Sequence, residues 1–124
     1  MRPVTVFTVD DHASFRSIAR RLLEAAGFHV VGEAATGGEV ADAVGLLLPD
    51  VVLLDVGLPD VDGFQVLRGL PTSVVVVLVS SRARTDYGRR VAASGARGFI
   101  AKAELSGEAL RSLLRDGEGC SGCG

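Results

Sequence analysis

Four apolar runs in this sequence end directly on a polar side chain. Asp10-Asp11 follows Val4-Thr5-Val6-Phe7-Thr8-Val9, Asp55 follows Val51-Val52-Leu53-Leu54, Ser80 follows Val74-Val75-Val76-Val77-Leu78-Val79, and Lys102 follows Phe99-Ile100-Ala101. Three carboxylates brought together repel one another and recruit a cation. An all-oxygen cluster suits Mg²⁺, with Mn²⁺ as the alternative, bound through carboxylates, waters and phosphate oxygens. A carboxylate in such a site can act as the nucleophile toward phosphorus. That role falls to Asp55, with Lys102 as a point positive charge on a phosphoryl oxygen and Ser80 as a hydrogen-bond donor to another.

Such chemistry needs elements that carry these residues to one place. The run ending at Asp55 is continuously apolar and bounded by Gly57 and Pro59, the pattern of a strand buried on both faces. Helical spacing follows the first strand, with Phe15, Ile18, Ala19, Leu22, Leu23 and Ala26 on one face and Gly27 as the stop. Arg16, Arg20 and Arg21 lie off that face and read as solvated. His29–Ala34 reads as a second strand. Thr36 and Glu39 have the form of a capping box for a helix carrying Val40, Val44, Leu47 and Leu48 and stopped by Pro49. Asp60 and Asp62 lie in a turn-rich loop and read as turn formers. A short helix is expected over Phe64–Leu70 and a weak polar one over Tyr87–Ser94. A fifth strand spans Arg97–Ala101, and a last helix is capped by Ser106 with Leu105 stapled on Leu110.

Strand and helix alternate five times, which implies an α/β fold with a parallel sheet covered on both sides. In such sheets the site lies at the carboxyl ends of the strands. Asp10, Asp11, Asp55, Ser80 and Lys102 are therefore expected at one edge.

Composition narrows the function classes. The chain has 124 residues, 48% hydrophobic and 23% charged, with a formal net charge of -2. That balance provides no electrostatic footprint for nucleic acid or an anionic membrane. The longest apolar run is too short to cross a bilayer, and a cytoplasmic location is the default. No G-x-x-x-x-G-K-[ST] or G-x-G-x-x-G loop is present, so the phosphoryl group is expected from a partner or a small phosphodonor. Cys120 and Cys123 form a C-x-x-C pair without further zinc ligands, in a segment, 117–124, read as a flexible Gly- and Cys-rich tail. Residues 1–116 form the expected domain.

Taken together, Val9-Asp10-Asp11-His12, the Asp55-to-Gly63 block with Leu58-Pro59 and Asp62-Gly63, Val79-Ser80-Ser81 and Gly95-to-Lys102 resemble the response regulator receiver family of two-component signalling. The last run resembles receivers of LuxR-type regulators. The resemblance implies a doubly wound, five-stranded parallel sheet in flavodoxin-like order 2-1-3-4-5, with helices on both faces. It implies phosphorylation of Asp55 by a histidine kinase, with Mg²⁺ held by Asp11, Asp55 and the Gly57 carbonyl and with Asp10 assisting through water. It also implies self-phosphorylation and self-dephosphorylation, with Ser80 as switch hydroxyl and Phe99 as switch aromatic. Output would pass through the face of helix four, strand five and helix five, to a partner or a second protomer. The segment itself would contact neither nucleic acid nor membrane. It would be a stand-alone receiver or the N-terminal part of a DNA-binding regulator. Two further readings are a phosphorylation-independent interaction module and a haloacid-dehalogenase-like phosphatase. The complete acid, Ser and Lys set argues against the first, and the lack of a D-x-D nucleophile setting after strand one against the second.

Overall fold

The computed structural model describes the backbone of residues 2–123 and the side chains of residues 2–115. The expected tail at 117–124, with Cys120 and Cys123, lies outside the residues whose side chains are described. Five strands, β1 (Thr5–Val9), β2 (His29–Ala34), β3 (Val51–Asp55), β4 (Val75–Ser80) and β5 (Gly98–Ala101), alternate with α1 (Ala13–Ala25), α2 (Val40–Leu47), α3 (Gly63–Arg68), α4 (Arg90–Ala93) and α5 (Gly107–Cys123). The strands pair in parallel in the order β2-β1-β3-β4-β5, the expected doubly wound arrangement.

The period of a strand explains how one sheet serves two cores. On β3, Val51 and Leu53 face one side while Val52 and Leu54 face the other. Val52 and Leu54 join Phe7, Val9, Val76 and Leu78 against Val40 and Val44 of α2, Phe64 and Leu67 of α3 and Val91 of α4. Val51 and Leu53 join Val6, Val77, Val79 and Ile100 against Ala19 and Leu23 of α1 and Leu110 of α5. No helix among the described residues is long and apolar enough to cross a membrane.

Several local expectations need correction. On α1 only Ala19 and Leu23 are buried, whereas Ile18 and Leu22 remain exposed. The two lie one position round the helix, beyond the reach of the sheet. Leu47 and Leu48, placed on the apolar face of the second helix, are likewise open to solvent, at 45% and 75% exposure. The capping box does not form, since Thr36 makes no side-chain cap bond. A carboxylate from elsewhere takes its place: Asp60 accepts from the amides of Gly37 (2.9 Å) and Gly38 (3.0 Å). Glu39 accepts from Ala35 N instead. The helix expected at 87–94 is interrupted: a 3-10 turn at Arg84–Tyr87 ends at Gly88, and α4 is a single turn. Gly88 adopts φ 56°, ψ -129°, backbone that only glycine enters at low cost. The Ser106 cap forms as expected, with its hydroxyl accepting from Ala109 N at 3.0 Å.

Candidate functional site

The site is built at the carboxyl edge because parallel pairing brings every strand's end to the same side. β1 delivers Asp10 and β3 delivers Asp55 next to it, and both are buried, at 1% and 4% exposure. Asp10 is tied to β2 through its amide, which donates to Ala34 O at 3.0 Å. Its carboxylate accepts from the His12 amide at 2.8 Å, where α1 begins. Arg16, read from sequence as solvated, donates from α1 to the Asp10 carbonyl at 2.6 Å and to Glu33 at 2.9 Å. It thereby fixes the backbone of the acid pair.

Asp55 is held by its own loop. The Gly57 amide donates to Asp55 Oδ1 at 3.2 Å, and Val56 N donates to Val79 O at 3.0 Å. α3 closes over the strand end at Gly63, whose amide donates to Val56 O at 3.0 Å. A Cβ at Gly63 would fall 2.5 Å from the Asp55 carbonyl oxygen and 2.8 Å from Val56 Cα. Only glycine permits that approach. Asp62 caps α3 by accepting from Phe64 N at 2.9 Å, the turn-forming role expected of it.

β5 delivers Lys102. Its ammonium is in ion-pair contact with Asp10 Oδ2 and lies 3.4 Å from Asp55 Oδ2, with the Phe15 ring 4.8 Å away. Asp10 Oδ2 is buried and has no partner in hydrogen-bonding geometry; Lys102 meets it by charge, off the hydrogen-bonding direction. Carboxylate and imidazole atoms of Asp10, Asp11, His12 and Asp55 all lie within 4.8 Å of one another. The His12 ring nitrogen is 3.1 Å from Asp10 Oδ1 and 3.2 Å from Asp11 Oδ1. Burial first, and then the Asp10 charge, push the Asp55 carboxyl above its usual range, against the Gly57 amide and Lys102, which lower it. The cluster has more negative charge than its one ammonium balances. Three acids whose ligand atoms lie this close together, two of them buried, fit a hard divalent cation.

Ser80 and Phe99 are placed differently. Ser80 is buried at the end of β4, but its hydroxyl is 2.5 Å from the Tyr87 phenol and accepts from Arg82 N at 3.0 Å. Among the described residues its hydrogen bonds do not include Asp55 or Lys102. Phe99 is half-buried and stands 5.8 Å, ring to ring, from Tyr87, which also meets Phe64 at 6.1 Å. Tyr87 was not singled out in the sequence. The one available signal was that it is the only tyrosine of the chain.

With this geometry in hand, the likeness to known proteins is informative. Residues 6–115 match the profile of the response regulator receiver domain. The DNA-binding transcriptional activator EvgA of Escherichia coli is 35% identical over 99 residues, covering 77% of this chain and 48% of EvgA. The transcription regulator BvgA of Bordetella pertussis is 34% identical over 112 residues, covering 86% of this chain and 53% of BvgA. The chain thus spans about half the length of these curated relatives. The signal receiver domain of the response regulator NarL from Mycobacterium tuberculosis superposes with a TM-score of 0.83 at 31% identity, covering 96% of this chain and 99% of that one.

Proposed function

The chain belongs to the response regulator receiver domain family of two-component signalling, and on that premise we propose that it accepts a phosphoryl group on Asp55 from a histidine kinase. The observation that carries this reading is the pairing of a buried Asp55 with Lys102 at 3.4 Å, inside a cluster of acids that share one edge. Asp55 Oδ attacks phosphorus while the P–N bond of the donor phosphohistidine breaks, leaving a mixed anhydride on the carboxylate. Lys102, already against Asp10 and Asp55, neutralises charge on the transferring group.

Asp10, Asp11, Asp55 and the Gly57 carbonyl are the groups that would hold Mg²⁺, or Mn²⁺ in its place. The ion, when bound, lets two anions approach and screens the product. Ser80 would donate to a phosphoryl oxygen, and Phe99 would follow it inward. The face of α4, β5 and α5 would then repack for a partner or a second protomer. We place residues 1–116 in one regulatory unit, and we take that unit to govern a DNA-binding half like those of the relatives.

Acetyl phosphate with Mg²⁺ should add one phosphate mass to the protein, and Asp55→Asn should abolish the gain. A parent protein whose mass never changes under these conditions would instead favour the phosphorylation-independent interaction module.

A further inference from the structure

Ser80 is the group in the proposed mechanism whose present bonds point away from its proposed task. Its hydroxyl has one proton and two acceptor positions. It meets the Tyr87 phenol at 2.5 Å and the Arg82 amide at 3.0 Å. Both partners belong to the connection that follows β4, and neither is one of the carboxylates. Turning this hydroxyl toward an oxygen on Asp55 would exchange the Tyr87 contact for a new one.

We propose that Tyr87 is the positioning residue of the switch: its phenol holds Ser80 off the phosphorylation site, and capture of Ser80 by a phosphoryl group releases Tyr87 together with the turn that it closes. The inference rests on the phosphoacceptor reading and goes beyond it by naming the group that Ser80 must leave. Phe99 cannot play this part, because its ring carries no hydroxyl.

The release has a mechanical outlet. Tyr87 is the last residue of the 3-10 turn Arg84–Tyr87, and Gly88 follows in glycine-only backbone. Beyond that pivot, α4 is anchored to α3 by Arg90, which donates to Asp62 at 2.6 Å and covers the Phe64 ring at 4.2 Å. The turn therefore hangs between a strand end and an anchored helix, with Ser80–Tyr87 as a tie across it. Ala83, Arg84, Phe99 and Leu113 line one groove beside the turn. Movement of the turn would reshape that groove, which couples the state of Ser80 to the surface.

The chain has one tyrosine and no tryptophan, so its intrinsic emission reports Tyr87 alone. Wild-type protein titrated with Mg²⁺ and beryllofluoride, a phosphoryl mimic, should show a saturable change in tyrosine emission. The midpoint should coincide with the appearance of bound fluoride in the fluorine NMR spectrum. Ser80→Ala, which removes the partner atom, should move the emission of the free protein toward that of the loaded wild type. Tyr87→Phe, which keeps the ring, removes a bond made only in the resting state and should bind beryllofluoride about three- to ten-fold more tightly. Bound fluoride with unchanged tyrosine emission would overturn the tie, as would a Tyr87→Phe affinity equal to or weaker than that of the parent. Absence of any bound fluoride in the wild type would remove the phosphoacceptor reading itself, and the tie with it.

Discussion

Lys102 Nζ stands 3.4 Å from Asp55 Oδ2 across 47 residues of chain, yet the Asp55 carboxyl is still held above its usual range by burial and by Asp10. The ammonium, shared with Asp10, does not fully offset the cost of the ionised carboxylate. Ionising Asp55 therefore costs more in the fold than in the unfolded chain, and the proposed reaction uses the ionised form. The buried carboxylate is thus held at some expense in stability, and that imbalance can be measured.

Replacing Asp55 with Asn should raise the melting temperature in EDTA at neutral pH by about 2–5 °C. The sign follows from linkage. A carboxyl whose folded pKa is raised adds stability that is fully present below the unfolded-state value of about 3.9 and is lost as pH rises through the folded value. The advantage of the variant should therefore shrink as pH falls through the folded pKa of Asp55. A melting-temperature difference that does not vary with pH would contradict the assignment.

Removing the cation should have the opposite effect. Lys102→Ala leaves Asp10 and Asp55 facing each other without a counter-charge and should cost about 3 kcal/mol in urea unfolding near neutral pH. Phosphorylation by acetyl phosphate should slow by about 10²-fold or more, read by mass spectrometry over time. Unaltered stability would mean that the pair carries little energy.

The fit of α3 over β3 predicts opposite outcomes for two glycines. Gly63→Ala places a Cβ against the Asp55 carbonyl oxygen and Val56 Cα and should destabilise by about 1–3 kcal/mol. It should also slow phosphorylation, because the backbone that must yield is that of Asp55. Gly45→Ala lies inside α2 with nothing within 4 Å of the new Cβ and should stabilise by about 0.4–1 kcal/mol. Equal effects from the two would argue against steric control at Gly63.

Asp60 should prove to be a clip rather than a ligand. Its bonds from Gly37 and then Gly38 hold its carboxyl below the usual range. Asp60→Ala should speed hydrogen exchange at those two amides while Mg²⁺ affinity stays at the parent value. A large fall in Mg²⁺ affinity would place Asp60 in the metal site after all.

Much of the site was legible before any coordinates, for one reason. When every strand of a sheet runs the same way, the residue after each apolar run lands on the same edge. Asp10, Asp11, Asp55 and Lys102 could thus be grouped from order alone. The strand order itself rested on the family resemblance. Local chemistry was legible in the Ser106 cap and in the turn at Asp62, where donor and acceptor are neighbours in sequence. It failed at Thr36, because the acceptor that serves Gly37 and Gly38 is Asp60, more than twenty residues away.

The amino-acid order alone thus determined the alternation of strands and helices, the two-sided burial of β3 and the set of polar residues that share the carboxyl edge, because these follow from backbone period and parallel pairing. Only the tertiary structure decided that Lys102 touches Asp10 as well as Asp55, that Arg16 holds the acid pair's backbone, and that Ser80 turns to Tyr87. Those outcomes depend on which rotamers and loop paths fit together once distant segments have met, and no periodicity in the chain encodes them.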